Sequence, residues 1–167
     1  NDLEIKIVGI SNSRKMLINV AGINLNEWSE VLDQKGIPAN LSSFISQMKE
    51  LNLPNCVFID NTASENPTHY YEDIFRSSIS IVTCNKIANS GSFKQYKTLK
   101  DTARNFGVDF YYETNVGAGF PIVRTLKDLM MSVDRIILIE SILSGTKSYI
   151  LNNFNGDSSF HDIVINA

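Results

Sequence analysis

A chain of 167 residues, 43% of them hydrophobic, is long enough to bury one core of about single-domain size, which excludes a disordered tail. With 15 Lys plus Arg against 18 Asp plus Glu the formal charge is -3, and no stretch gathers basic residues as a phosphate-binding surface does, so no nucleic-acid partner is expected. Apolar runs such as Ile136 to Ile139 fall far short of the roughly 20 residues of a membrane span. No leader-like segment opens the sequence, and the isolated Cys56 and Cys84 form neither a disulfide framework nor a zinc site, so a reducing cytoplasm is the expected setting.

In chain order, Leu3 to Ile10 alternates and then runs apolar, as a strand entering a buried sheet does. Asn26 to Leu32 reads as a short helix ended by Gly36 and Pro38. A clearer helix runs from Leu41 to Leu51 with Ser42 or Ser43 as its cap. Cys56 to Asp60 is a buried strand giving way to the polar Asp60-Asn61-Thr62. The pattern then repeats. A helix around Tyr70 to Phe75 precedes the strand Ile79 to Thr83, which ends at Cys84-Asn85-Lys86. A helix bearing Phe93, Tyr96, Leu99 and Ala103 stops at Gly107 before the strand Val108 to Tyr112, which ends at Glu113 to Gly119. A helix begins near Pro121, a strand covers Arg135 to Glu140, and a helix covers Tyr149 to Phe154. Strands alternating with helices predict a doubly wound α/β fold whose parallel sheet is covered on both faces. The one plausible seam is near Met131 to Asp134.

Ligands of an open parallel sheet bind beyond the carboxyl ends of its strands, so the groups to weigh are Ser11 to Lys15, Asn61 to Ser64, Thr83 to Lys86 and Glu113 to Gly119. Each is small, polar or basic, which suits a phosphorylated ligand. In dinucleotide-binding folds a carboxylate at the end of the second strand holds the NAD ribose, whereas a nearby Arg accommodates the 2'-phosphate of NADP. If Ile5 to Ile10 is that strand, then Ser11, Ser13, Arg14 and Lys15, with no carboxylate among them, favour NADP; the plainer reading is a solvated basic turn. Gly117-Ala118-Gly119 is by itself a tight turn, but Glu113 and the successive backbone carbonyls beside it make a hard-oxygen set able to hold a cation. Lys86, directly after a strand, is either a solvated lysine or a compact charge against a phosphate or carbonyl oxygen. His69 and His161 have no partner at ligand or triad spacing, and Cys84 lacks the setting of a nucleophile.

Five stretches in order carry a family resemblance: Val8 to Ser13, Asn19 to Leu25, Thr83 to Asn89, Glu113 to Pro121 and Ile142 to Ile150. The segments N-V-G-A-G-x-P (Asn115 to Pro121) and S-G-T-x-S-Y-I (Ser144 to Ile150) are far more specific than any single Gly pattern. Over nearly its whole length the chain resembles homoserine dehydrogenase. Asn24-Leu25 with Trp28 favours the dehydrogenase half of the bifunctional aspartokinase/homoserine dehydrogenases of threonine and methionine synthesis.

The resemblance implies an NAD(P)-dependent oxidoreductase that interconverts L-aspartate 4-semialdehyde and L-homoserine. NADP is favoured through Arg14 and its neighbouring serines, with NAD possible. It implies that Asn61 and Thr62 line the nicotinamide side, that Lys86 touches cofactor and substrate, and that Gly145 and Thr146 present the substrate pocket. Glu113, with the backbone oxygens of Val116, Ala118 and Phe120, matches the family's site for a monovalent cation such as Na+. It further implies a homodimer or higher oligomer, with an aspartate kinase domain fused to it. The expected domains are a Rossmann-like nucleotide domain over residues 1–131 and the start of an α+β substrate and dimerisation domain over 132–167. The family's first strand and glycine-rich turn are expected to precede this sequence, and the acidic substrate ligands and catalytic lysine to follow it. Residues 1–167 by themselves are therefore expected to be an inactive fragment, with apolar surface and unpaired backbone where a central strand is lacking. The competing readings are a noncatalytic nucleotide-binding or regulatory domain, a structural interaction domain, and a dehydrogenase of another small aldehyde.

Overall fold

The computed structural model describes residues 4–156 and 159–167; Leu3, at the head of the first expected strand, lies outside them. The chain divides into two compact units, Asn1–Phe110 and Tyr111–Ala167.

The first unit contains two three-stranded sheets. The first is an antiparallel meander of β1 (Gly9–Ser11), β2 (Lys15–Ile18) and β3 (Ile37–Pro38), with Gly9 opposite Ile18 and Met16 opposite Ile37. This corrects the expectation that Ile5 to Ile10 runs as a strand of the parallel sheet. Only its end is a strand, and it pairs with β2, which the sequence reading did not separate from the turn before it. The period-two pattern identifies an extended segment but not the direction of its neighbour. Helix α1 (Trp28–Lys35) buries Leu32, and α2 (Leu41–Glu50) packs on the meander through Phe44, Ile45 and Met48. The approach is close: a side chain at Gly9 would meet the Phe44 ring at 3.0 Å, so any larger residue there would require the ring to shift. The α2 cap is Asn40, whose side chain accepts from the Ser43 amide at 2.9 Å, rather than Ser42 or Ser43.

The second sheet has the order β4 (Val57–Asp60), β5 (Ser80–Thr83), β6 (Phe110–Tyr111). Strands β4 and β5 are parallel, with Val57 opposite Ser80 and Asp60 opposite Thr83. Between them a 3-10 turn (Asn66–Tyr70) leads into α3 (Tyr71–Arg76); after β5 come α4 (Ile87–Ser90) and α5 (Phe93–Asn105). One core serves both sheets: Met16, Phe44, Ile45, Met48, Phe58, Tyr71, Ile74, Phe75, Ile81, Leu99 and Ala103 are buried together. Each large apolar side chain sealed this way contributes about 1.5–3 kcal/mol. Phe110 packs edge-on against Tyr71 and Phe75, with centroids 5.9 and 5.3 Å apart. The other face of the sheet is open, with Val57 48%, Ile59 53% and Val82 38% exposed. Cover on both faces, as read from the alternation of elements, is therefore not present among the described residues, and β4 is a sheet edge. Alternation of strand and helix predicts where helices lie along the chain but not how many cover each face.

The second unit begins with a 3-10 turn (Glu113–Asn115), followed by α6 (Ile122–Met131), α7 (Gly145–Asn153) and α8 (Phe160–Ile165). Phe154, just after α7, and Phe160, the first residue of α8, stack edge-on at 5.5 Å. The expected strand at Arg135 to Glu140 is not formed: among the described residues it has no ladder partner, and Ile137 is 91% exposed. Its β-branched residues favour an extended chain, but a strand exists only when a second backbone takes its hydrogen bonds.

Candidate functional site

Strands β4 and β5 run side by side, so the loops that leave their carboxyl ends emerge together. The Cys84 amide donates to the Asp60 carbonyl at 3.2 Å, and Cys84 Sγ lies 3.8 Å from Asn61 Oδ1. Asn61, Thr62 and Lys86 are all exposed on this rim. The structure thus brings together the two groups singled out from sequence after these strands.

Beneath the rim lies a buried polar network that the sequence reading missed. Asp60 is 2% exposed, Asn85 1% and Thr83 3%, while Tyr71 is fully buried. Three neutral donors hold the Asp60 carboxylate: the Tyr71 hydroxyl at 2.6 Å and Asn85 Nδ2 at 3.0 Å on Oδ2, and the Thr62 amide at 2.8 Å on Oδ1. Thr83 Oγ1 donates to the Asp60 carbonyl at 3.1 Å and accepts from the Asn85 amide at 2.9 Å. Asn85 Nδ2 also reaches the Ser64 carbonyl at 2.7 Å, and its Oδ1 accepts from the Ile87 amide at 3.1 Å. Burial, then the bond to Asp60, pushes the Tyr71 hydroxyl above its ordinary value of 10, so it keeps its proton and remains a donor at neutral pH. The available signal in the sequence was a carboxylate as the last residue of one strand and an amide two residues beyond the end of its neighbour; Asp60 read as the point where a buried strand gives way to a polar loop, and its depth is a tertiary property.

The first ligand-edge group sits elsewhere. Ser11 ends β1, and Ser13 and Arg14 lie in the hairpin turn that joins it to β2, where Asn12 Oδ1 accepts from the Arg14 and Lys15 amides, both at 2.8 Å. It is a turn between antiparallel strands, not the carboxyl end of a parallel one. Lys15 is the first residue of β2, and its ammonium donates to the Asp33 carbonyl and lies 3.7 Å from the Asp33 carboxylate. Arg14 is exposed, and among the described residues no carboxylate pairs with it.

In the second unit Glu113 Oε2 accepts from the Arg124 amide at 2.9 Å, which caps the first turn of α6, while Oε1 is buried with no hydrogen-bond partner among the described residues. An orphaned carboxylate oxygen of this kind fits a cation. The chain beside it turns tightly through Gly117 (φ 72°) and Ala118 (φ 50°). That φ at Gly117 favours glycine, and a side chain there would also displace the tip of Ile122, whose Cδ1 would lie 2.2 Å away. The Phe120 carbonyl accepts from the Ile122 amide at 2.9 Å. Gly145 and Thr146 are exposed in the first turn of α7, whose cap is Ser144, accepting from the Lys147 amide at 3.3 Å. His69 is exposed, 4.0 Å from Glu65, and both cysteines are free thiols, with Cys56 shifted upward by burial.

Residues 1–113 match the NAD-binding domain of homoserine dehydrogenase, and residues 121–167 match homoserine dehydrogenase itself. The chain belongs to the homoserine dehydrogenase family. It is 42% identical over 167 residues to the chloroplastic bifunctional aspartokinase/homoserine dehydrogenase 2 of Arabidopsis thaliana, a match that covers 99% of this chain and 18% of that protein. Among solved structures, a protein of unknown function from Candida auris superposes with a TM-score of 0.82 at 27% identity, over 96% of this chain and 46% of that one. A hyperthermophilic archaeal homoserine dehydrogenase mutant in complex with NADPH gives 0.71 at 20% identity, over 96% of this chain and 50% of that one. The homoserine dehydrogenase α/β fold, Rossmann-like in its nucleotide domain, is therefore that of this chain. The chain spans about a fifth of the bifunctional relative and about half of the solved structures.

Proposed function

We propose that this chain is the nucleotide-binding part, with the start of the substrate-binding part, of an enzyme that interconverts L-homoserine and L-aspartate 4-semialdehyde using NADPH, with NADH as the weaker alternative. The observation that carries the reading is the meeting of the Asn61–Ser64 and Cys84–Lys86 loops at the carboxyl ends of β4 and β5, where an open parallel sheet takes its ligands. The nicotinamide cofactor, when bound, supplies or accepts the hydride. Asn61 and Thr62 offer polar contacts that orient its reactive face. Lys86 places a compact positive charge on the same rim, where it steadies a carbonyl oxygen as charge develops on it. Arg14, exposed and paired with no carboxylate among the described residues, takes the 2'-phosphate in preference to Lys15, which Asp33 already engages.

Glu113 Oε1, buried and unpartnered among the described residues, with the carbonyls of Val116, Ala118 and Phe120 nearby in sequence, is the donor set for a monovalent cation such as Na+. Gly145 and Thr146, exposed at the start of α7, present backbone and hydroxyl groups to the substrate. Residues 1–131 act as the nucleotide domain and 132–167 as the start of a substrate and dimerisation domain. The names of the bifunctional relatives support a fused aspartate kinase domain, and the Ile136 to Ile139 segment, without a ladder partner among the described residues, suits a homodimer. The two free thiols suit a reducing compartment such as the cytoplasm.

The test is NADP+ reduction by the whole gene product with L-homoserine, beside other small hydroxy acids. Homoserine-dependent reduction is the expected outcome, and binding of NADPH without turnover of any hydroxy acid would make the chain a noncatalytic nucleotide binder. Residues 1–167 alone are expected to show none of this activity; robust turnover by them would overturn the division of labour proposed here.

A further inference from the structure

The network under the rim is costly. A buried carboxylate whose partners among the described residues are neutral gives up its hydration, and an apolar set of the same shape would pack the ends of β4 and β5 at less expense. The strands do not need it, since their own ladder already joins Val57 through Asp60 to Ser80 through Thr83. What the polar groups reach is the loop backbone beyond the strands. Asp60 Oδ1 fixes the Thr62 amide, Asn85 Nδ2 fixes the Ser64 carbonyl, Thr83 Oγ1 fixes the Asn85 amide and Asn85 Oδ1 fixes the Ile87 amide. The fixed groups flank Asn61 and Lys86 on both loops. Tyr71, from α3, closes the network from below through its 2.6 Å bond to Asp60.

We infer that Asp60, Tyr71, Thr83 and Asn85 are positioning residues: their buried network ties the loop after β4 to the loop after β5, so that Asn61, Thr62 and Lys86 form one preformed cofactor-binding rim. The inference rests on the proposed function, because it takes those exposed residues to be cofactor contacts. Without the network, both loops are exposed segments bonded to solvent, and ordering them falls on the binding step, which lowers affinity.

The decisive variant is Thr83→Val, which keeps the β-branched shape on a buried strand and removes only the hydroxyl. Tyr71→Phe and Asn85→Ala remove other members in case one of the set fails to fold. In the whole gene product, Thr83→Val is expected to raise the NADPH dissociation constant about tenfold, or ~1.4 kcal/mol, while the homoserine KM changes less than about threefold. Amide hydrogen exchange at residues 62–65 and 85–87 is expected to quicken in the variant, and Thr83→Ser to restore both affinity and protection. A folded Thr83→Val or Tyr71→Phe protein that binds NADPH as wild type does, with unchanged exchange in these loops, overturns the inference and leaves the proposed function standing. A wild-type protein that does not bind NADPH overturns the functional reading, and the inference with it.

Discussion

The units Asn1–Phe110 and Tyr111–Ala167 both carry apolar residues along their helices, yet they use them differently. In the first, Tyr71, Ile74, Phe75 and Ile81 are fully buried and two sheets share one core. In the second, α6 and α7 bury no residue, and Met131, Val133 and Ile137 are 83%, 94% and 91% exposed. The lesson is that hydrophobic pattern alone does not make a core; an apolar face is stabilising only once a second surface covers it. Among the described residues the first unit closes much of its surface internally and leaves open the sheet face that carries Val57, Ile59 and Val82. The second presents apolar surface almost throughout.

The largest effect expected from this contrast comes from paired truncations. Ile81→Ala, in the sealed core, is expected to cost about 2–5 kcal/mol in denaturation of the whole gene product. Ile137→Ala, if the segment is as open there as in the chain, is expected to stay within about 0.5 kcal/mol. A cost for Ile137→Ala comparable to that of Ile81→Ala would break the comparison, because it would mean that another segment or a second copy covers the strand-like run Ile136 to Ile139.

Kinetics sharpen the same comparison at the ligand rim. Lys86→Ala is expected to lower kcat/KM at least about tenfold, some 1.4 kcal/mol, because a charge aimed at the reacting group or cofactor is removed. Unchanged kinetics would return Lys86 to the class of solvated loop lysines. Arg14→Ala is expected to weaken NADPH about tenfold more than NADH, since a guanidinium gives the 2'-phosphate a charge-assisted pair that NADH lacks. Equal losses would mean that the phosphate is read by another group than the β1–β2 turn.

The smallest expected difference is between two helix caps of the same chemistry. Asn40→Ala removes the acceptor for the Ser43 amide at the start of α2, a helix locked into the core, and is expected to cost about 1 kcal/mol of global stability. Ser144→Ala removes the corresponding acceptor from α7, which buries nothing, and is expected to quicken local amide exchange with little global cost. Equal global costs would show α7 to be as tightly coupled to the cooperative fold as α2.

Much of the architecture was legible in the residues. Val57–Asp60, Ser80–Thr83 and the helix from Phe93 through Ala103 have strong local patterns, and each forms where the pattern places it. The two loops that meet at the rim were legible too, because the end of a parallel strand is a position along the chain. Less readable were the residues beneath them. Asp60 and Asn85 carry the polar character of a loop, and nothing in their neighbours states that Tyr71, eleven residues after Asp60, closes over the carboxylate.

By itself the sequence determined the alternation of elements, the family and the identity of the exposed rim groups, since these follow from short-range period, turn chemistry and specific segments such as Asn115 to Pro121. Only the tertiary structure decided that Gly9–Ser11 pairs antiparallel with Lys15–Ile18, that Arg135 to Glu140 finds no ladder among the described residues, and that a carboxylate sits sealed beneath the rim. The physical reason is common to all three. Strand direction, strand pairing and the burial of a charge depend on which distant backbone or side chain arrives to satisfy a hydrogen bond, and local propensity carries no information about that arrival.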